Sequence, residues 1–148
     1  MKQKKKQEVI EYKRAVVYCR VSSDRQVKEG HGLDSQERRC VERANELKLE
    51  VASVFRDEGV SGGLFERPAM QALITFLDKH ETENFVVIFD DTSRLARDVY
   101  VHLKLKMQLT VERGAKLECL NQKIDDTEEG EFFELLFAGK AQLDRKQN

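Results

Sequence analysis

The sequence predicts an α/β fold of three layers: a mainly parallel sheet of four or five strands, helices on both of its faces, and a C-terminal helix used for oligomerisation. Three observations predict it. Four short apolar runs alternate with four helical patterns along the chain, the arrangement that repeated strand-helix units produce. The first and third runs are almost continuously apolar, as central strands covered on both faces must be. The last helical pattern carries apolar side chains on two sides, more than the sheet of a small domain can cover.

The chain opens with a basic arm, residues 1–13, in which Lys2, Lys4, Lys5, Lys6 and Lys13 outnumber Glu8 and Glu11. With Arg14 included, this stretch carries +4 and leaves −5 for the remainder of a chain whose net charge is −1. Such an arm reads equally as a solubilising tail and as a phosphate-contacting segment. Strands are expected at 15–21, 51–55, 85–89 and 116–120, the first and third in mid-sheet. The first helix opens on Asp34 with Glu37 three residues later, in the manner of a capping box, and runs to about Leu49 with Cys40, Val41, Ala44 and Leu47 on one face. The second begins at Pro68, whose fixed φ and missing N–H suit a first helical position, and buries Met70, Leu73, Ile74 and Leu77. The third, from about Ser93 to Arg113, has two apolar stripes: Val99, Leu103, Met107 and Val111, then Val101, Leu105 and Leu109. One stripe faces the sheet and the other calls for a further partner. The last, over 128–146, has Phe132, Leu136 and Leu143 on one side and Phe133, Phe137 and Ala141 on another. It is either wedged into the core or docked on a second subunit, and its place at the chain end favours docking. Since the pattern runs into Lys146, Gln147 and Asn148 without a stop signal, a longer protein is expected.

Composition narrows the function. The 148 residues fit one domain with one core. Apolar residues make up 40% and charged residues 36%, and no stretch approaches the roughly 20 apolar residues of a membrane span. Without an apolar signal segment, and with Cys19, Cys40 and Cys119 at unrelated positions, the expected compartment is the cytoplasm with reduced thiols. His31, His80 and His102 lack metal-ligand spacing. No metal, cofactor or small-molecule substrate is expected. A net charge near zero argues against a dedicated nucleic-acid-binding domain.

Two loops, 22–33 and 57–66, are glycine-bearing and longer than a connection requires. In a parallel α/β sheet both leave the carboxyl ends of strands, where ligands bind. The first strand ends in Arg20-Val21-Ser22, so a guanidinium and a hydroxyl share one side of the pleat. Paired planar donors match phosphate oxygens, although a turn serine and a solvated arginine fit the same spacing. After the third strand, Arg94 and Arg97 are three apart on a helix start, and Arg67 closes the second loop. Four arginines around one serine suggest an anion among them, because like charges brought together repel.

Read in order, Tyr-x-Arg-Val-Ser-Ser at 18–23, Leu-Asp-Ser-Gln at 33–36, Gly-Val-Ser-Gly at 59–62 before Arg67-Pro68, Ser-Arg-Leu-Ala-Arg-Asp at 93–98 and Ala-Gln-Leu-Asp-Arg at 141–145 resemble the resolvase/invertase family of serine recombinases. The glycine-bearing loop is most like that of the large members, which include phage integrases and transposon-borne enzymes. The resemblance implies metal- and ATP-independent breakage and rejoining of double-stranded DNA through a 5′-phosphoserine link, by homodimers that pair into a homotetramer. It implies Ser22 as nucleophile, and Arg20, Arg67, Arg94 and Arg97 as ligands of the scissile phosphate. Gln36 is implied to support the site, and Asp144 and Arg145 to fall where the family has an acid and an arginine. The implied organisation is an arm at 1–13, a catalytic domain at 14–127 and, at 128–148, the start of a long interface helix ahead of a DNA-binding region.

One position departs from the family: Ser93 stands where an Asp usually precedes the first arginine of its motif, and the acids are displaced to Asp90 and Asp91. Asp91 is a candidate substitute, yet both acids read equally as strand-end and helix-start caps. Rival readings are a non-catalytic DNA-binding or assembly module of the same fold, and a cysteine phosphatase-like loop using Cys19 and Arg25. The second lacks the glycines and preceding histidine of such a loop, and Cys19 lies in an apolar run. A receiver-type signalling module requires acids where the first strand ends in Arg-Val-Ser-Ser.

Overall fold

A computed structural model describes residues 10–21, 32–59, 67–95 and 99–122. The basic arm through residue 9, the loops at 22–31 and 60–66, residues 96–98 and everything from 123 onward lie outside them, and with them the expected interface helix. Strands β1 (Arg14–Val21), β2 (Glu50–Glu58), β3 (Phe85–Phe89) and β4 (Lys116–Cys119) alternate with helices α1 (Leu33–Glu46), α2 (Pro68–Lys79) and α3 (Val99–Thr110), and a 3-10 turn spans Thr92–Arg94.

Among the described residues the sheet has four strands in the order β2-β1-β3-β4, every neighbouring pair parallel. β1 and β3 are therefore central, and their near-continuous burial is the physical counterpart of their apolar runs. Alternate residues divide between two cores, as the strand period requires. Ala15, Val17 and Cys19 of β1 and Val86 and Ile88 of β3 pack with Cys40 and Ala44 of α1. Val16, Tyr18, Val87 and Phe89 meet Met70, Leu73 and Leu77 of α2 and Leu105 and Leu109 of α3. The chain thus steps outward from β1 to β2 and then crosses back to β3 on the far side of β1. Between the carboxyl ends of β1 and β3 it leaves the crevice in which open α/β sheets bind ligands.

Several boundaries differ from the sequence expectations. α1 has Gly32 as its N-cap with no side-chain cap. Asp34 is already the second residue of the helix, so the capping box does not form, and its side chain meets Arg56 of β2 at 2.7 Å instead. The helix ends at Glu46 because Lys48 turns into the left-handed region at φ 60°. Leu49 N–H then reaches Ala44 O at 2.8 Å and Lys48 N–H reaches Asn45 O at 3.1 Å, the bond pair that closes a helix with a left-handed residue. Leu47 is left exposed rather than on the buried face. β2 continues to Glu58, which places Asp57 in a strand and not in the second loop.

The third helix is shorter than expected: residues 92–94 form a separate turn, and α3 is described only from Val99. Of its two stripes, Leu105 and Leu109 face the core with Val101 against them. The other is divided, with Leu103 buried and Val99 and Val111 60% and 78% exposed, so α3 turns one stripe to the sheet as expected. Pro68 is the first residue of α2, and Met70, Leu73 and Leu77 are buried with Ile74 packed beside them. No helix among the described residues is long and apolar enough to cross a membrane.

Candidate active site

The site is built where β1 and β3 end. β1 pairs with β3 only from Arg14 to Val17, so the backbone of Arg20 lies beyond that ladder. Gln36, wholly buried in the first turn of α1, takes the place of a strand. Arg20 N–H donates to Gln36 Oε1 at 3.0 Å, and Gln36 Nε2 donates to Arg20 O at 3.1 Å. A primary amide offers both a donor and an acceptor, so one side chain holds both backbone groups and aims the residue between them.

The Arg20 side chain, 5% exposed, crosses to the 3-10 turn. Its Nε donates to Arg94 O at 3.0 Å and its Nη2 to Ser93 O at 2.6 Å. Arg67, with no exposed surface, comes from the start of α2 to the same place, its Nη1 donating to Arg94 O at 3.3 Å and to Leu95 O. Arg94 returns the contact: its Nη1 donates to Arg20 O at 3.2 Å, while its Nε reaches Asp90 Oδ1 at 2.8 Å. Three guanidinium groups therefore meet around one turn. The carbonyls of Ser93, Arg94 and Leu95 and the carboxylate of Asp90 offset their mutual repulsion, so the convergence stands without the bound anion that the sequence argument invoked.

The turn has its own support. Asp91 caps it by accepting from Ser93 N–H at 2.9 Å and also accepts from Asn121 Nδ2 at 3.1 Å. The hydrogen bond from Ser93 N–H holds the Asp91 carboxyl below its usual value. Asp91 is thus the cap that the sequence allowed, whereas Asp90 is not a cap. It is a buried carboxylate between Arg94 and Arg39, whose Nη2 lies 2.9 Å away.

Beneath Arg67 is a second buried acid. α2 begins with Arg67 at its N-cap position and no side-chain cap, and arginine has no acceptor to offer. Asp57, 1% exposed on β2, supplies the missing oxygens to Ala69 N–H at 2.8 Å and Met70 N–H at 3.1 Å, the N–H groups that a capping side chain normally takes. Its Oδ2 also accepts from Tyr18 OH at 2.7 Å. Burial and this hydrogen bond push the Tyr18 phenol well above its ordinary value, keeping it a neutral donor. Arg39 and Asp57 were not selected from the sequence, where Asp57 falls in the second loop; Tyr18 entered only as the first letter of a family motif and Asp90 only as a displaced acid or cap. The available signal was that α2 starts on Arg-Pro and so needs an acid from elsewhere.

Of the residues expected at the site, Arg20, Gln36, Arg67, Ser93 and Arg94 are gathered here and Asp91 lies at its edge. Ser22, Arg97, Asp144 and Arg145 lie outside the described residues, as does Arg25 of the phosphatase-like reading. That reading loses its nucleophile: Cys19 is wholly buried, and burial, followed by the Glu37 carboxylate, pushes its thiol up to about 12, the reverse of what a thiolate requires. His80, at the end of α2, stacks on Phe76 with centroids 4.2 Å apart. Among the described residues no group of His, Cys, Asp or Glu is placed to hold a metal ion.

Comparisons with known proteins agree with this architecture. The "Putative DNA recombinase" of Bacillus subtilis (strain 168) is 32% identical over 117 residues, which cover 79% of this chain and 22% of that protein. The chain accordingly spans about a fifth of the length of that curated relative. The N-terminal catalytic domain of TP901-1 integrase superposes with a TM-score of 0.70 at 27% identity, over 92% of this chain and 99% of that one. The C-terminal catalytic domain of ISC1926 TnpA, an IS607-like serine recombinase, does so with a TM-score of 0.58 at 28% identity, over 86% and 84%. A family model described as "Resolvase, N terminal domain" matches residues 15–148, and the chain belongs to the resolvase family.

Proposed function

We propose that this domain carries out the chemistry of site-specific DNA recombination, cleaving and rejoining double-stranded DNA through a 5′-phosphoserine intermediate formed by Ser22. The observation that carries this reading is the meeting of Arg20, Arg67 and Arg94 at the crevice between β1 and β3, in a chain of the resolvase family. Ser22 follows β1 by one residue and Arg20 by two. In the proposed step Ser22 Oγ bonds to phosphorus, the bond from phosphorus to the 3′ oxygen breaks, and that oxygen leaves as a hydroxyl. The reverse attack by a 3′-hydroxyl reseals the strand and frees the serine.

Arg20, Arg67, Arg94 and Arg97 hold the non-bridging oxygens and offset charge as it builds in the pentacovalent state, a contribution greatest when the donors are fixed beforehand and water is scarce. Gln36 keeps Arg20 in place. Asp144 and Arg145 are assigned to support of the same site, and 128–148 to an interface helix through which homodimers pair into tetramers. Neither metal nor ATP enters the reaction, and the compartment is the cytoplasm.

The test is covalent trapping on a nicked recombination site by the protein that carries this domain. Ser22→Ala is expected to abolish the adduct while leaving folding and DNA binding unchanged. Cys19→Ser is expected to retain the adduct and to perturb only packing. An adduct that persists in Ser22→Ala and maps to Ser23 displaces the nucleophile by one residue; no adduct in the wild type leaves the non-catalytic assembly module as the reading.

A further inference from the structure

We propose that Asp90 is a positioning residue for this chemistry: with Arg39 behind it, its carboxylate fixes the plane in which Arg94 meets the phosphate. The proposal rests on the recombinase reading above and adds a pair of residues to it. β3 turns Val86 and Ile88 toward α1, and the strand period carries Asp90 to that same side just beyond the strand end. There it finds Arg39 of α1 and, four residues ahead in its own chain, Arg94. Both carboxylate oxygens are used. Oδ1 accepts from Arg94 Nε at 2.8 Å, and Oδ2 accepts from Arg39 Nη2 at 2.9 Å and Arg94 Nη2 at 3.4 Å.

The geometry separates orientation from simple neutralisation. A carboxylate lying along the Nε and Nη2 edge of a guanidinium sets its plane as well as its position. Arg94 Nη1 is held on the carbonyl of Arg20, so the two arginines are registered to each other. Asp90 is 2% exposed, and a carboxylate taken out of water is tolerated only with charged partners. Arg39, with a third of its side chain exposed, supplies a second positive charge and leaves the cluster of one carboxylate and two guanidinium groups at +1, still attractive to a phosphate. The neighbouring Asp91 is committed to the turn itself, so the two consecutive acids divide the work: one holds the backbone and the other holds the arginine.

The experiment has two arms. In the free protein, nitrogen-15 NMR follows the Nε–H of Arg94, which is expected to exchange slowly with water in the wild type and rapidly in Asp90→Asn. On a nicked site, Asp90→Asn is expected to slow adduct formation by about 10- to 100-fold, the range that a small misplacement of a catalytic group produces. DNA affinity should stay within about twofold, because the net positive charge that attracts phosphate is not reduced. A purely structural role lowers folded fraction and affinity together and does not divide the two. Arg39→Gln keeps the Asp90 to Arg94 pair, removes a partner that is one-third exposed, and is expected to slow the adduct by a smaller factor; it decides the matter if Asp90→Asn does not fold. Wild-type rates in the variant that folds, or a fast-exchanging Arg94 Nε–H in the wild type, overturn the proposal. Absence of any wild-type adduct overturns the recombinase reading instead, and this inference with it.

Discussion

Arg14 and Arg20 stand at opposite ends of β1 and show how differently one strand can use one residue type. Arg14 pairs with Glu83 at 3.1 Å, both side chains a third or more exposed, and its guanidinium lies over the Phe85 ring at 5.6 Å. Arg20 is nearly inaccessible and gives its donors to the carbonyls of Ser93 and Arg94, while Gln36 holds its backbone. The first arginine is free to trade its partner for water at little cost. The second is fixed in place before any ligand arrives, the preorganisation that the role proposed for it would draw on. The difference lies in the surroundings: at the carboxyl end the strand period and the return of α2 and the 3-10 turn bring buried acids, amides and carbonyls together, and at the amino end they do not.

If that contrast is sound, the largest effect of substitution should fall on the buried supports of the carboxyl end. Asp57→Ala removes the acceptor of Ala69 N–H, Met70 N–H and Tyr18 OH at once. Each buried donor left unsatisfied costs on the order of 1–3 kcal/mol, less whatever water recovers, so a total loss of about 3 kcal/mol is expected. Urea unfolding at unchanged m value checks it. A loss below about 1 kcal/mol, the size of an ordinary cap deletion, would break the contrast by showing that α2 does not depend on this remote acid.

The next effect is on pH dependence. Burial pushes the Cys19 and Cys40 thiols up from 9.0 to about 12, and burial and Asp57 raise the Tyr18 phenol above 10.0. In each case the folded state keeps a proton that the unfolded chain releases, so these groups support the fold fully below pH about 9 and lose that support as the pH climbs toward 12. Urea midpoints should therefore fall steeply above pH about 9, and the Cys19→Ala, Cys40→Ala pair should flatten the descent over the thiol window. A midpoint that holds steady to pH about 11 would show that these side chains reach water.

These results also bear on how much could be read from the residues alone. β1 and β3 were legible because a strand covered on both faces leaves a run of apolar letters, and α2 because Pro68 marks a first turn. Arg20, Arg67 and Arg94 were legible through family resemblance and through their places at element ends. The contacts of Tyr18, Arg39, Asp57 and Asp90 were not. Their roles depend on pairings 39, 51 and 12 residues apart, which follow from the placing of β2 and β3 on either side of β1 and of the helices against them, and have no local period. The start of α1 failed for a local reason: Asp34 has the capping-box spacing, but the helix already begins at Leu33 with Gly32 as its N-cap, so Asp34 sits inside the first turn and its side chain is left to pair with Arg56.

The smallest effect belongs to the amino end. Glu83→Gln removes the charge that faces Arg14 but keeps an acceptor of similar shape, and exposed pairs of this kind contribute between about 0 and 1 kcal/mol. The expected change is under about 0.5 kcal/mol, reduced further by salt because both groups reach solvent. Arg14→Ala should cost somewhat more, about 1 kcal/mol, because it also strips the guanidinium and stem from the Phe85 ring. The order matters more than either value. Should Glu83→Gln prove as damaging as Asp57→Ala, exposure would not be what distinguishes the two ends of β1, and the preorganisation assigned to Arg20 would lose its physical basis.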